Sequence, residues 1–192
     1  YNSLDFDLVV EPSAGNGSFF DQIEHLNKIG IDIQPENKSL IQLDFFDYEP
    51  PTDKNNILVI GNPPFGRQSS MAIKFIKKSS FCNTISFILP KSFKKESMRK
   101  HFPLNFHLIF EHDIPENSFL IDDEISNVET VFQIWEKRDK NRAIVENVEP
   151  NCYEFVGKMD NPEISFRRVG VKAGAISESI LDKSVESNFS AS

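Results

Sequence analysis

Four short apolar runs within the first 62 residues each end within two residues of a polar residue, and this repetition limits the fold more than any other feature. The runs span 6–10, 29–33, 40–43 and 57–60, and their polar ends are Glu11, Asp32, Asp44 and Asn62. Apolar runs of this length indicate buried strands. Together with helix-period segments between later runs, they predict an α/β fold: a Rossmann-like, doubly wound, mostly parallel sheet of about seven strands with helices on both faces.

The same alternation continues to residue 142. Further strands are predicted at 84–89, 107–110 and 130–135, and helices at 19–26, 71–78 and 92–100. We predict a folded domain over residues 1–142, followed by a connector with a frayed, serine-rich tail over residues 143–192. Since ligands of such sheets bind outside the carboxyl ends of the strands, the four polar ends are expected to line one site.

Composition excludes several classes of protein. The chain has 192 residues, of which 39% are hydrophobic, so it can bury a core and is not globally disordered. Cys82, Cys152 and the four histidines lack the spacing of a disulfide scaffold or a metal site, so we predict no metal. No apolar run approaches the ~20 residues of a membrane span, which predicts an intracellular, cytoplasmic protein. Because the chain opens at Tyr1 almost directly on a strand, we expect a segment upstream of it to be missing.

Charge is distributed unevenly along the chain. The formal net charge is -8, yet residues 67–101 hold nine basic side chains and one acidic side chain, Glu96. We call these nine residues the basic strip: Arg67, Lys74, Lys77, Lys78, Lys91, Lys94, Lys95, Arg99 and Lys100. A local excess of positive charge on an acidic protein is typical of a phosphate-binding face, although solvated helix faces give the same pattern. Arg67, Lys91, Lys94 and Lys95 are the candidate contacts to a nucleic acid.

A glycine-rich turn joins the first strand to the next segment. In the sequence EPSAGNGSF (11–19), Gly15 and Gly17 let the backbone approach a ligand closely. The carboxylate of Glu11 would repel a phosphate and favours a cationic ligand, such as an amine or a sulfonium. Asp32, about 20 residues farther on, is placed to accept hydrogen bonds from ribose hydroxyls. The turn therefore predicts a cationic nucleoside ligand.

Asp44 directly follows the third predicted strand. Its carboxylate can accept a hydrogen bond from an exocyclic amine, while Phe45 or Phe46 packs on an adenine face. A solvated carboxylate at a strand end is the alternative for each acid taken singly.

The most specific motif is Gly-Asn-Pro-Pro-Phe-Gly (61–66) at the end of the fourth strand. Consecutive prolines fix the backbone, so Asn62 and the carbonyl group of Pro63 are held rigidly. Two fixed oxygens can accept both hydrogens of a planar amino group and free its lone pair for attack. Phe65 offers a flat face for the ring that bears the amine. We predict Asn62, Pro63, Pro64 and Phe65 as the catalytic group.

The chain resembles the S-adenosylmethionine-dependent amino-methyltransferases of the adenine-N6 type over roughly residues 7–136. EPSAGNGSF (11–19) is similar to their cofactor loop and NPPF (62–65) to their (N/D)PP(Y/F) catalytic motif, in a gamma-like order. GIDIQP (30–35), LDFFD (43–47) and ISFILPKSF (85–93) fit the other strands. The resemblance implies contacts to the methionine portion from Glu11, Ser13, Gly15 and Gly17, to the ribose from Asp32, and to the cofactor adenine from Asp44 and Phe45.

The resemblance also implies a reaction. A methyl group passes from S-adenosylmethionine to the exocyclic N6 amine of adenine in a nucleic acid, with DNA expected before RNA and S-adenosylhomocysteine as product. Residues 1–142 are then the catalytic domain and residues 143–192 a partial target-recognition segment. Phe119 is the candidate aromatic that packs on the other face of the extruded base. A protein partner or a missing domain would aid target recognition, and a eukaryotic protein of this kind is expected in the nucleus.

Two alternatives stay open. A protein glutamine-N5 methyltransferase also binds a planar amide with an Asn-Pro-Pro-aromatic clamp, but a peptide substrate gives no reason for the basic strip. A non-catalytic subunit could keep the fold and serve only to bind RNA, DNA or a partner enzyme.

Overall fold

The computed structural model describes residues 5–121, 124–126 and 128–143, and the short segments 155–156, 163–167, 173–177 and 188–191. The chain divides into two compact units, Tyr1–Ile144 and Val145–Ser192. The roles predicted for the two parts of the chain stay predictions.

The described residues of the first unit form nine strands. They are β1 (Leu8–Glu11), β2 (Lys28–Asp32), β3 (Ile41–Gln42), β4 (Ile57–Gly61), β5 (Thr84–Pro90), β6 (Phe106–Asp113), β7 (Phe119–Ile121), β8 (Glu124–Ser126) and β9 (Thr130–Lys137). Seven of them form one sheet in the order β3-β2-β1-β4-β5-β9-β6, and β7 pairs with β8 in a separate hairpin. The Rossmann-like sheet of about seven strands is confirmed.

Strand direction places the polar ends together. The strands β3, β2, β1, β4 and β5 pair in parallel, so their carboxyl ends meet at one edge of the sheet. The strand β9 runs antiparallel between β5 and β6, with Ile85 opposite Trp135 and Phe87 opposite Gln133. From β1 the chain adds β2 and then β3 on one side of β1, and it later adds β4 on the other side. The order in which strands are added to the sheet therefore reverses between β1 and β4. Ligands of doubly wound sheets bind at such a switch point.

The main core lies on one face of the sheet. Alternate residues of the central strands, including Val59, Ile85 and Phe87, contact the buried side of the helix α1 (Ser70–Lys78). Farther along the sheet, Phe102 stacks on Trp135 with ring centroids 3.9 Å apart. These side chains are the apolar residues of the predicted strands, and burying them supplies most of the free energy that holds the sheet and helix together.

One predicted helix is wrong. After the glycine turn, only a single 3-10 turn forms, Phe20–Gln22, and Leu26 is fully exposed. The ammonium group of Lys28 donates hydrogen bonds to the carbonyl oxygens of Phe20 and Ile23, each at 2.9 Å. Those carbonyl groups would serve a continuing helix, so the lysine takes the place of the next helical turn.

The other two helix predictions differ in outcome. The helix α1 matches the segment predicted at 71–78. The segment predicted at 92–100 is divided into a 3-10 helix, Lys91–Lys94, and the short helix α2 (Glu96–Arg99). Lys95 has an extended backbone with ψ 141°, and its carbonyl oxygen accepts from the amides of Met98 and Arg99. This residue therefore ends the first helix and begins the second.

The second unit contains a small sheet within its described segments. Its strands are β10 (Phe155–Val156), β11 (Ile164–Arg167), β12 (Ile176–Ser177) and β13 (Asn188–Ala191), in the order β10-β13-β11-β12. Most of the tail predicted to fray lies outside the described residues. In the part of the chain that the structure describes, no helix combines the length and the apolar character of a membrane span.

Candidate active site

A cavity of about 410 Å³ lies at the carboxyl edge of the parallel strands. It is lined by Pro12, Ser13, Asp32, Ile33, Leu43, Asp44, Phe45, Phe46, Asn62, Pro64, Met71 and Phe75. The structure thus brings the predicted residues Ser13, Asp32, Asp44 and Asn62 to one cavity, although they are separated along the sequence. Its volume falls within the range of small-molecule sites, about 300–1,000 Å³.

A larger cavity of about 630 Å³ lies on the sheet face opposite the main core. Its lining is mostly apolar and includes Leu58, Ile60, Phe132 and Ile134. No residue predicted to bind cofactor or substrate lines it. The smaller cavity is therefore the candidate active site, because specific sites combine an apolar wall with a few converging polar groups.

The glycine turn is tied to the end of β2 by the carboxylate of Asp32. Its Oδ2 accepts from the amide of Gly15 at 2.7 Å, and its Oδ1 accepts from the amide of Gln34 at 2.8 Å. Gly15 has φ +54°, and a Cβ added there would meet nothing within 4 Å. The turn therefore borders open space, and Asp32 fixes its backbone. Carboxylate oxygens have further lone pairs, so these bonds leave room for ribose hydroxyls.

The Asp44 corner starts a 3-10 helix, Phe45–Asp47. One oxygen of Asp44 accepts from the amide of Phe46 at 2.9 Å, so this carboxylate caps the turn as well as lining the cavity. Phe45 is only 2% exposed and stacks on Phe75 with centroids 5.3 Å apart. Phe46 is half-buried and meets Phe75 edge-on at 5.3 Å. Phe46 is therefore the more accessible of the two rings.

The Asn62 corner follows β4 directly. The side chain of Asn62 is exposed, and its backbone carbonyl oxygen accepts a hydrogen bond from the hydroxyl group of Ser13 at 3.3 Å. This bond joins the Asn-Pro-Pro-Phe motif to the glycine turn. The carbonyl oxygen of Phe65 accepts from the amide of Met71 at 3.1 Å, which fixes the motif to the start of α1.

The segment after the motif holds an unusual backbone. Gly66, Gln68 and Ser69 have φ of 68°, 52° and 61°. Left-handed conformations are unfavourable for side chains such as Gln and Ser, and they concentrate where a fold positions functional groups. This turn lets α1 begin close enough to place Met71 and Phe75 on the cavity.

Glu11 is buried beneath the same corner. It is 3% exposed, and its Oε2 has no hydrogen-bond partner among the described residues. A Cβ at Gly61 would lie 3.2 Å from Cγ of Glu11, so glycine at this position lets the carboxyl group approach β4. Burial, and then the negative charges of Asp32 and Asp21, raise the pKa of Glu11 to about 8. An uncompensated acid at this position fits a site made for a cation.

This environment predicts a pH-dependent stability. The pKa of Glu11 is about 8 when folded, against 4.5 for an ordinary glutamate, so the folded state binds the proton more tightly. The stability that this tighter proton binding gives the folded state is fully present below pH 4.5 and is lost as the pH rises through about 8. Glu11→Gln does not titrate, so the difference in free energy of unfolding between wild type and variant should shift against the wild type over this interval. Urea unfolding at several pH values measures it, and parallel curves would contradict the assignment.

Four members of the basic strip are paired with acids. Lys94 lies 2.7 Å from Asp113, which Lys91 also approaches at 3.8 Å. Arg99 lies 2.8 Å from Glu111, and Lys78 lies 3.6 Å from Glu49. In the described part of the chain, no ion pair involves the other five: Arg67, Lys74, Lys77, Lys95 and Lys100. The predicted contacts Lys91 and Lys94 thus have their charge offset locally, whereas Arg67 and Lys95 do not.

Phe119 and the remaining residues of the Asn-Pro-Pro-Phe motif occupy different environments. Phe119 lies half-buried in the β7–β8 hairpin and does not line the cavity. Phe65 is half-buried and packs against the main core. Pro63 is buried, whereas Pro64 lines the cavity.

Sequence reasoning did not name Met71 and Phe75 as cavity residues. A usable signal was present, because α1 begins soon after the Asn-Pro-Pro-Phe motif and has apolar residues at 71, 72, 75 and 76. Two of those apolar side chains, Met71 and Phe75, lie about one helical turn apart on the same side of α1 and line the cavity.

Comparison with protein-family models gives no match, and no curated protein matches the sequence. Among solved structures, the chain is similar to a Listeria monocytogenes protein described as a class I S-adenosylmethionine-dependent methyltransferase. The TM-score is 0.50 and the identity 16%, over 73% of this chain and 56% of that chain. This likeness agrees with the Rossmann-like sheet and concerns the fold alone.

Two further solved structures are similar at lower TM-scores. The 23S rRNA methyltransferase ErmE has a TM-score of 0.49 and 13% identity, over 70% of this chain and 62% of that chain. A Pyrococcus horikoshii protein described as an RNA methyltransferase has a TM-score of 0.49 and 15% identity, over 68% of this chain and 74% of that chain. The chain thus spans less than two thirds of the length of ErmE and of the Listeria protein.

Proposed function

We propose that this protein is an S-adenosylmethionine-dependent methyltransferase that acts on the exocyclic amine of adenine in a nucleic acid. The observation that carries the proposal is the cavity at which Asp32, Asp44 and Asn62 meet beside the glycine turn. Each of these residues was predicted from the sequence for its part in binding a nucleoside cofactor or an amine.

Two observations at the end of β1 and in the glycine turn, next to the lining residues Pro12 and Ser13, fit this cofactor. The orphaned oxygen of Glu11 suits a ligand with positive charge, and the open space beside Gly15 leaves room for a ligand against the backbone. Ser13 and the glycine turn would hold the methionine portion, Asp32 the ribose, and Asp44 with Phe46 and Phe45 the adenine. When bound, S-adenosylmethionine supplies an electrophilic methyl group on a sulfonium sulfur and leaves as S-adenosylhomocysteine.

The protein would act by positioning and by fixed dipoles. Asn62 and the Pro63 carbonyl would accept the two hydrogens of the target amine, so that its lone pair points at the methyl group. Held in this way, the target nitrogen would be oriented for in-line attack, and the proton that it loses would pass to water. No protein nucleophile takes part, and burial raises the pKa of the Cys82 thiol to about 12, which keeps it protonated.

The basic strip supports nucleic acid as the substrate class. Its five residues without an ion pair among the described residues are available to phosphates. Both DNA and RNA carry the adenine amine, and a base within a duplex must be flipped out at a cost of a few kcal/mol. Single strands avoid much of that cost.

Incubation with isotopically labelled S-adenosylmethionine and separate DNA, RNA and peptide pools tests the function. Mass analysis of digested products should show N6-methyladenosine or its deoxy form. Methylated glutamine in the peptide pool would instead identify a protein methyltransferase. Tight cofactor binding with no transfer to any pool would identify a non-catalytic subunit.

The ion pairs within the basic strip allow a matched test of nucleic-acid binding. Replacing Lys74, Lys77, Lys95 and Lys100 by Ala should flatten the plot of log affinity against log salt, by about 0.7–0.9 for each phosphate that is no longer neutralised. Replacing Lys78, Lys91, Lys94 and Arg99 by Ala should change the slope less, because local acids already offset those charges. Fluorescence anisotropy with a labelled oligonucleotide measures both slopes, and equal effects would contradict the assignment.

A further inference from the structure

Glu11 is almost completely buried, and one of its carboxyl oxygens has no hydrogen-bond partner among the described residues. It is the last residue of β1, it is 3% exposed, and its Oε2 has no hydrogen-bond partner in the described part of the chain. Its Oε1 lies 3.7 Å from the position that a Cβ would occupy at Gly61. The carboxyl group is therefore packed against the residue that precedes Asn62, between the glycine turn and the catalytic motif.

The charges around Glu11 do not favour its ionised form. Asp32 at the end of β2 and Asp21 in the 3-10 turn both oppose a second negative charge there. Lys28 favours it, but the ammonium group of Lys28 is already bonded to two backbone carbonyl oxygens. The packed strand β4 has the sequence Ile-Leu-Val-Ile-Gly and brings no charge. In the free protein the group therefore carries its proton at neutral pH.

We propose that Glu11 releases this proton when the cationic cofactor binds, so that cofactor binding is coupled to pH through this one carboxyl group. The inference rests on the proposed function, because it requires a positively charged ligand beside the glycine turn. A neutral carboxyl group attracts a cation weakly, whereas a buried carboxylate without a partner is unfavourable. The bound cation supplies the missing positive charge, the O–H bond breaks, and the proton passes to the buffer.

The number of protons released and the change in affinity with pH both follow from the pKa of Glu11. With a pKa of about 8 in the free protein, Glu11 is about nine-tenths protonated at pH 7, so binding should release about 0.9 proton. The same linkage makes the dissociation constant about 30-fold smaller at pH 7.0 than at pH 5.5. An α-ammonium group stays largely protonated over this interval, so the ligand's own charge changes little.

Isothermal titration of the full chain with S-adenosylmethionine at pH 7.0, in phosphate and in Tris, measures the proton directly. The two buffers differ in ionisation enthalpy, so the difference in binding heat gives the number of protons released. Glu11→Gln should release close to none and should bind with nearly equal affinity at pH 5.5 and 7.0. Glu36→Gln, an exposed acid of the same region, should behave as the wild type.

The outcomes separate this inference from the function on which it rests. Binding by the wild type with no proton release overturns the coupling and leaves the cofactor assignment standing. Proton release that persists in Glu11→Gln assigns the proton to another group and also overturns it. Absence of binding by the wild type overturns both. A wild-type count near zero overturns the coupling even where the variant binds too weakly to titrate.

Discussion

Asn62→Ala should lower kcat by about 10²- to 10³-fold while the dissociation constant of S-adenosylmethionine changes little. The loss is expected at the chemical step, because the side chain of Asn62 would hold the target amine rather than the cofactor. The side chain is exposed and makes no hydrogen bond within the described residues, so the variant should keep its thermal stability. Single-turnover methyl transfer and cofactor titration on the same preparation measure the two effects.

A matched variant separates the amide oxygen of Asn62 from its NH2 group. Asn62→Asp keeps an oxygen acceptor of the same reach, and the motif it resembles accepts either residue, so its turnover should stay within about 10-fold of the wild type. Equal turnover in Asn62→Ala and the wild type would refute the clamp. Equal losses of cofactor affinity and turnover would place Asn62 in cofactor binding instead.

Asp32→Ala should weaken cofactor binding by about 10²-fold or more. The substitution removes the proposed acceptor for the ribose hydroxyls and also leaves the amides of Gly15 and Gln34 without their present partner. Hydrogen bonds to charged groups contribute about 1.5–3 kcal/mol each, so the removal of two ribose bonds suffices for this decrease. Cofactor titration by calorimetry gives the affinity.

An exposed acid after the neighbouring strand β3 provides the control. Asp47 lies in the 3-10 helix after Asp44 and does not line the cavity. Asp47→Ala should bind the cofactor like the wild type, because an exposed carboxylate in water contributes little to a distant ligand. A similar loss in both variants would mean that the general negative charge of this edge, rather than the carboxylate of Asp32, attracts the cofactor.

Features determined by neighbouring residues could be predicted from the sequence. Short apolar runs locate the strands, because a buried strand of a parallel sheet needs consecutive apolar residues. The Asn-Pro-Pro motif and the Asp32 and Asp44 corners reach one cavity because parallel strands end at one edge of the sheet. The order of the strands along the chain and their parallel direction are sufficient to predict that these residues lie close together.

Features determined by distant partners could not be predicted in the same way. The helix expected after the glycine turn gives way to a single turn because Lys28, from the next strand, bonds its carbonyl groups. Lys94 looks free in the sequence but pairs with Asp113, which β6 brings alongside it. Likewise, only the packing of Phe75 reveals that Phe45 is the buried ring and Phe46 the more accessible one.

A crystal structure of the chain with bound S-adenosylmethionine would show whether the glycine turn and the Asn-Pro-Pro-Phe motif form one cofactor site. We expect the ligand in the 410 Å³ cavity, with its ribose on Asp32 and its sulfonium methyl group facing Asn62 and Pro63. Ligand density in the 630 Å³ cavity on the opposite face of the sheet, away from that corner, would contradict it.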